Sequence, residues 1–137
     1  MKKVFWTGLV AGIAMVLVNM ALNPVFNIIF PSLQGAYESN AIFRPWTDPI
    51  MMLFFLYPIV LGFALAWVWG RTKQLFHKNP WCNGMRFGFT YFFVSGLPGF
   101  LVNYSSFNLP ISMISTWTIM GLFNGIVAGL ILARLNK

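Results

Sequence analysis

The sequence predicts an all-α integral membrane protein: a single domain, residues 1–137, forming an up-and-down bundle of four transmembrane helices with cytoplasmic N and C termini. Three observations predict it. First, 58% of the 137 residues are hydrophobic, only 8% are charged, and the mean hydropathy is +0.73. A soluble domain is about one-quarter charged. So few charges leave a globule without a polar surface, and so apolar a composition excludes disorder. Second, four apolar runs, at about 4–30, 49–69, 81–103 and 111–133, reach the length a helix needs to cross a bilayer. Third, the basic residues lie between and beside those runs rather than along one of them.

Span one follows Lys2 and Lys3 and carries no charge. That opening also fits the start of a signal peptide, but the apolar run outlasts such a segment and no A-x-A site follows, so it reads as an uncleaved helix. Asp48-Pro49 opens span two, and Asn79-Pro80 opens span three. Each pairs a capping side chain with a proline whose missing N–H is not needed in the first turn. Pro110 stands in the same place before span four. Gly70 with Arg71, and Arg134 with Lys137, mark the ends of spans two and four.

Alternation of four spans sorts the basic residues by side. Lys2 and Lys3, then Arg71, Lys73, Lys78 and Arg86, then Arg134 and Lys137 fall together, eight of the nine. Arg44 alone falls opposite, with both acids, Glu38 and Asp48. Basic loops stay in the cytoplasm, which orients the chain in a plasma or inner membrane. An odd number of spans destroys the asymmetry. Trp6, Trp46, Trp69, Trp81 and Tyr104 fall near span ends and read as interfacial anchors. The net charge of +7 and pI near 10.1 are thus a matter of topology, and no nucleic-acid partner is expected.

Lipid tails are as apolar as leucine, so small residues that let backbones approach drive helix association. Each span has such a series: Gly8 and Gly12; Gly62, Ala66 and Gly70; Gly84 and Gly88, then Ser95, Gly96 and Gly99; Gly121, Gly125 and Gly129. The likeness between GLVAGIA at Gly8 and GIVAGLI at Gly125 reads as shared packing chemistry rather than a repeat.

The candidate functional residues form three groups. Asn19, Asn23 and Asn27 share one face of span one, either bonding to other helices or, with Ser95 and the kink at Pro98, walling a polar cavity in the outer half of the membrane. Pro24 and Pro58 interrupt spans one and two in the same way. Tyr37, Glu38, Arg44, Trp46 and Asp48 lie in an outer loop long enough to fold over the bundle mouth or meet a partner. Arg71, Lys73, Lys78 and Arg86 are positioned to hold anionic lipid headgroups.

No Asp, Glu, Lys or His falls inside a span, and the two acids share one loop, so no catalytic constellation, metal site or cofactor is expected. The single cysteine, Cys82, excludes an internal disulfide. The expectation is a non-enzymatic protein that works by assembly, as an accessory subunit, scaffold or homo-oligomer, with lipids and itself or another membrane protein as partners. The alternatives are a small channel or facilitator lined by the asparagines, and a lipid-binding or lipid-modifying protein.

Overall fold

The computed structural model describes residues 2–39, 43–45, 47–76 and 79–136. Helix α1 (Lys2–Ile29) is followed by a two-turn helix α2 (Ser32–Ser39). A 3-10 turn, Pro49–Met52, leads into α3 (Leu53–Thr72), which tightens into a second 3-10 turn at Lys73–Leu75. Helix α4 (Pro80–Tyr91) passes through a π-helical turn, Phe92–Gly96, into α5 (Leu97–Ser106), and α6 (Ile111–Leu135) closes the chain. Four helical stretches, Lys2–Ile29, Pro49–Leu75, Pro80–Ser106 and Ile111–Leu135, are long and apolar enough to cross a membrane, and the described residues contain no strand.

The helix starts follow the expected chemistry. The Asp48 carboxylate accepts the Ile50 N–H at 2.9 Å, and the Asn79 amide oxygen accepts the Cys82 N–H at 2.9 Å. Before α6 the Pro110 carbonyl takes the Met113 N–H at 3.0 Å without a side-chain cap. The helix ends differ. Gly70 does not stop the second stretch, which continues through Arg71 to Leu75. A glycine ends a helix by turning left-handed, and no described glycine has positive φ. Pro98, expected to kink or break the third stretch, does not end it. Proline clashes with the carbonyl four residues back. The wide turn relieves this: the Leu97 N–H reaches five residues back to Phe92, and Pro98 enters α5 in its first turn.

Glycines set the packing. In the antiparallel pair α1–α3, a Cβ added at Gly62 would strike the Gly8 carbonyl and lie 2.6 Å from the Gly12 nitrogen. In the pair α4–α6, a Cβ at Gly88 would lie 2.6 Å from the Ile126 Cα, and one at Gly129 would strike the Gly84 carbonyl. The two pairs meet where α1 packs along α6. The similar segments at Gly8 and Gly125 therefore do the same job in different pairs. Gly99 and Gly121 meet nothing within 4 Å.

Two apolar clusters hold the bundle. At the end where both chain termini lie, Ala11, Met15, Leu65, Ala66, Trp69 and Phe87 pack with Ala128 and Leu132. At the opposite end Phe26, Leu33, Leu109, Met113 and Ile114 form the second. The outward faces are as apolar as the core: Leu17, Met20, Leu53, Val60, Phe93, Val94 and Leu101 are each more than half exposed.

Candidate functional site

Between the two clusters the bundle interior turns polar. Asn124 is 3% exposed, and its amide oxygen is buried without a hydrogen-bond partner. The amide oxygen of Asn19 is likewise buried and unpartnered. The glycine contacts fix the depths. Gly88 meets Ile126 and Tyr91 lies against Gly125, so Asn124 is level with the end of α4. The Tyr57 phenol faces that of Tyr91, which brings α3 to the same level. Counting from the contacts of Gly8 with Phe63 and Gly12 with Ile59, Asn19 stands about one and a half turns further toward the loop end. Asn124, Tyr91 and the half-exposed Tyr57 thus share a middle layer, with Asn19 beyond it toward the loop end. The layer accepts and donates hydrogen bonds and carries no charge.

The other two asparagines of α1 lie further out still. Asn23 and Asn27 are exposed, and neither makes a side-chain hydrogen bond to a described residue. The same counting puts Asn23 about level with the cap at Asp48, and Asn27 about one turn beyond. Helix α1, 28 residues and ~42 Å long, outreaches its partner at this end. Asn19, Asn23 and Asn27 share a face as expected, but neighbouring helices cover only Asn19. Ser95 and Pro98 are exposed as well.

The chain after α1 folds back onto the bundle through α2. Leu33 is 2% exposed in the second cluster, and the Trp117 indole N–H donates to the Tyr37 hydroxyl. Phe43 packs edge-on against Trp117 at 6.1 Å. Burial raises the Tyr37 pKa, and the bond from Trp117 opposes that shift. Arg44 pairs with Asp48 at 2.8 Å, and Glu38 accepts from Gln34 at 3.4 Å. The Ile50 N–H, followed by Arg44, holds the Asp48 carboxyl below the usual carboxylate range. Trp46 lies outside the described residues.

Three of the basic residues at the termini end are individually engaged. The Arg71 guanidinium lies 3.6 Å over the Trp67 ring, and that of Arg134 lies 4.0 Å over Trp81. Lys73 donates to the Asn136 side-chain oxygen at 3.3 Å. Arg86 is exposed, and Lys78 lies outside the described residues. Trp69, expected as an interfacial anchor, is instead 2% exposed and donates its indole N–H to the Asn136 carbonyl at 2.8 Å. Trp6, Trp67, Trp81 and Tyr104 point outward. Two shallow clefts lie at this end. One of about 500 Å³ is bounded by Trp69, Lys73, Phe76 and Asn83. The other, about 470 Å³, runs along Trp81, Cys82, Met85, Arg86 and Phe89. Neither touches the middle layer. No cluster of three potential metal ligands occurs among the described residues.

Sequence reasoning missed Asn124, Tyr57 and Tyr91. The signal for Asn124 was available: it stands beside Gly125 on the face shared by Gly121 and Gly129. The chain matches no family model, no curated protein and no solved structure.

One result follows for Asn124. An unpaired buried carbonyl costs about 1–3 kcal/mol, so removing it offsets the small void left behind. Asn124→Ala is expected to unfold within about 1 kcal/mol of the parent, whereas Met15→Ala, at a fully buried site, loses about 2–5 kcal/mol. Thermal unfolding in mild detergent compares them. Equal losses would mean that the Asn124 amide is bonded in the folded protein.

Proposed function

We propose that the chain is an integral membrane protein that crosses the bilayer four times, with both termini and the turn before Pro80 in the cytoplasm. It acts without chemistry of its own, by assembling with a second copy or another membrane chain. One observation carries this reading. The third stretch is the least covered: 11% of its most apolar window is buried, against 33% in the fourth. Its outer half presents Phe93, Val94, Leu101 and Val102, with Gly99 meeting nothing within 4 Å. Small residues on an exposed helix face suit a neighbouring helix better than a lipid chain.

A facilitator for a neutral solute is the second reading, favoured by the unpaired oxygens of Asn19 and Asn124. The apolar clusters on both sides of that layer oppose it. The experiments separate the readings. Extraction in mild detergent followed by native mass measurement is expected to find more than one chain, and Gly99→Leu to release folded single chains. A monodisperse monomer with nothing bound sinks the assembly reading. Flux into liposomes that is lost in Asn19→Leu would replace it with the facilitator. Labelling of the two chain ends from opposite faces would remove the four-span topology.

A further inference from the structure

Two arginines at the termini end have no acidic side chain to neutralise them. The chain has two acids, Glu38 and Asp48, and both belong to the opposite end, where Asp48 already pairs with Arg44. The Arg134 guanidinium lies over the Trp81 ring, and Arg86 borders the cleft of about 470 Å³ that Trp81, Met85 and Phe89 line. These three follow at i, i+4 and i+8, so they form one apolar stripe along α4. Gly84 meets Leu130, which places Arg134 about level with Pro80, at the start of the helix. Arg86 starts about 9 Å deeper, and the lean of helical side chains toward the N-terminus puts the Arg134 end within the reach of its long side chain. One cation thus stands at the head of an outward-facing apolar groove, over Trp81, and a second borders it.

We propose that this groove holds one anionic phospholipid, its phosphate between Arg86 and Arg134 and one acyl chain along Trp81, Met85 and Phe89. The proposal rests on the membrane reading above but not on the assembly one. A dianionic inorganic phosphate satisfies the same two cations, and the apolar stripe is what selects the lipid. The exposed thiol of Cys82 lies in the same cleft and reports on it without a substitution.

The test uses detergent-solubilised full-length chain mixed with phosphatidylglycerol, phosphatidylcholine or inorganic phosphate, read by native mass spectrometry. Phosphatidylglycerol is expected to be retained over phosphatidylcholine. Each of Arg86→Gln and Arg134→Gln should weaken retention about fivefold, as expected for one basic side chain near an anionic headgroup. Arg86→Lys should restore most of it. Arg71→Gln should leave it unchanged, because Arg71 sits on Trp67 outside the groove. In the unmodified protein, phosphatidylglycerol should slow maleimide labelling of Cys82, and phosphatidylcholine should not. Equal retention of both lipids overturns the proposal, as does a loss in Arg71→Gln matching that in Arg86→Gln. Displacement of the lipid by millimolar phosphate would reassign the site to the free anion. A lone monomer that still retains the lipid removes assembly and leaves this inference standing.

Discussion

Gly62→Leu is expected to pull α1 off α3 and to destabilise the bundle by about 3 kcal/mol or more, at the upper end for overpacking. The reason is what the new side chain meets. Its first carbon alone would strike the Gly8 carbonyl and lie within 2.8 Å of the Gly12 backbone. Backbone inside a helix has no alternative rotamer, so the whole helix must move. Gly129→Leu should do the same to α4 and α6, because the Gly84 carbonyl occupies the space. Three other glycines are the controls. Gly35, Gly99 and Gly121 meet nothing within 4 Å, so alanine there should be neutral or gain up to about 1 kcal/mol from helix propensity. Unfolding temperature in mild detergent measures all five variants. A Gly62→Leu variant as stable as Gly121→Ala would mean that the pair is not closed through this glycine.

Trp69→Ala should cost about 3–5 kcal/mol, the range for removing a large buried aromatic. Trp69 joins three parts of the chain at the termini end. Its ring stacks on Phe76 at 5.2 Å and meets Phe87 edge-on at 5.2 Å, and its N–H holds the Asn136 carbonyl. Its loss should free the C-terminal turn, which protease accessibility after Leu135 would show alongside the drop in unfolding temperature. Trp69→Phe keeps the ring contacts and gives up the hydrogen bond, so about 1 kcal/mol of the loss, plus some packing, should remain. Trp6→Ala and Trp67→Ala remove side chains that are 63% and 55% exposed, and each should change stability by about 0.5 kcal/mol or less. If Trp67→Ala proved as damaging as Trp69→Ala, the inward placement of Trp69 would be wrong.

The contrast between Trp67 and Trp69 shows where sequence reading stops. Both stand near the end of an apolar run, and composition treats them alike. One lies under an arginine facing outward, and the other is sealed in the core. In a soluble helix an apolar stripe reveals which face is buried. In this chain the outward faces are as apolar as the inward ones, so that signal vanishes. The asparagines of α1 failed for a related reason. Their shared face was legible from spacing, but the length of the neighbouring helix was not, and α3 begins too low to cover Asn23 and Asn27. At Pro98 the clash with the preceding turn was foreseeable, but its relief by a π-helical turn was not.

The number and approximate positions of the apolar helices, and the side chains that cap two of them, were determined by the sequence alone. An apolar run must satisfy its own backbone, and only a helix does so locally. Which glycine faces which, which tryptophan turns inward, and which asparagine of α1 is covered were decided by the tertiary structure. Those depend on how each helix is rotated and how far it slides along its neighbour. Rotation and register are properties of a pair in contact, set here by how closely the Gly8, Gly62, Gly84 and Gly129 backbones approach.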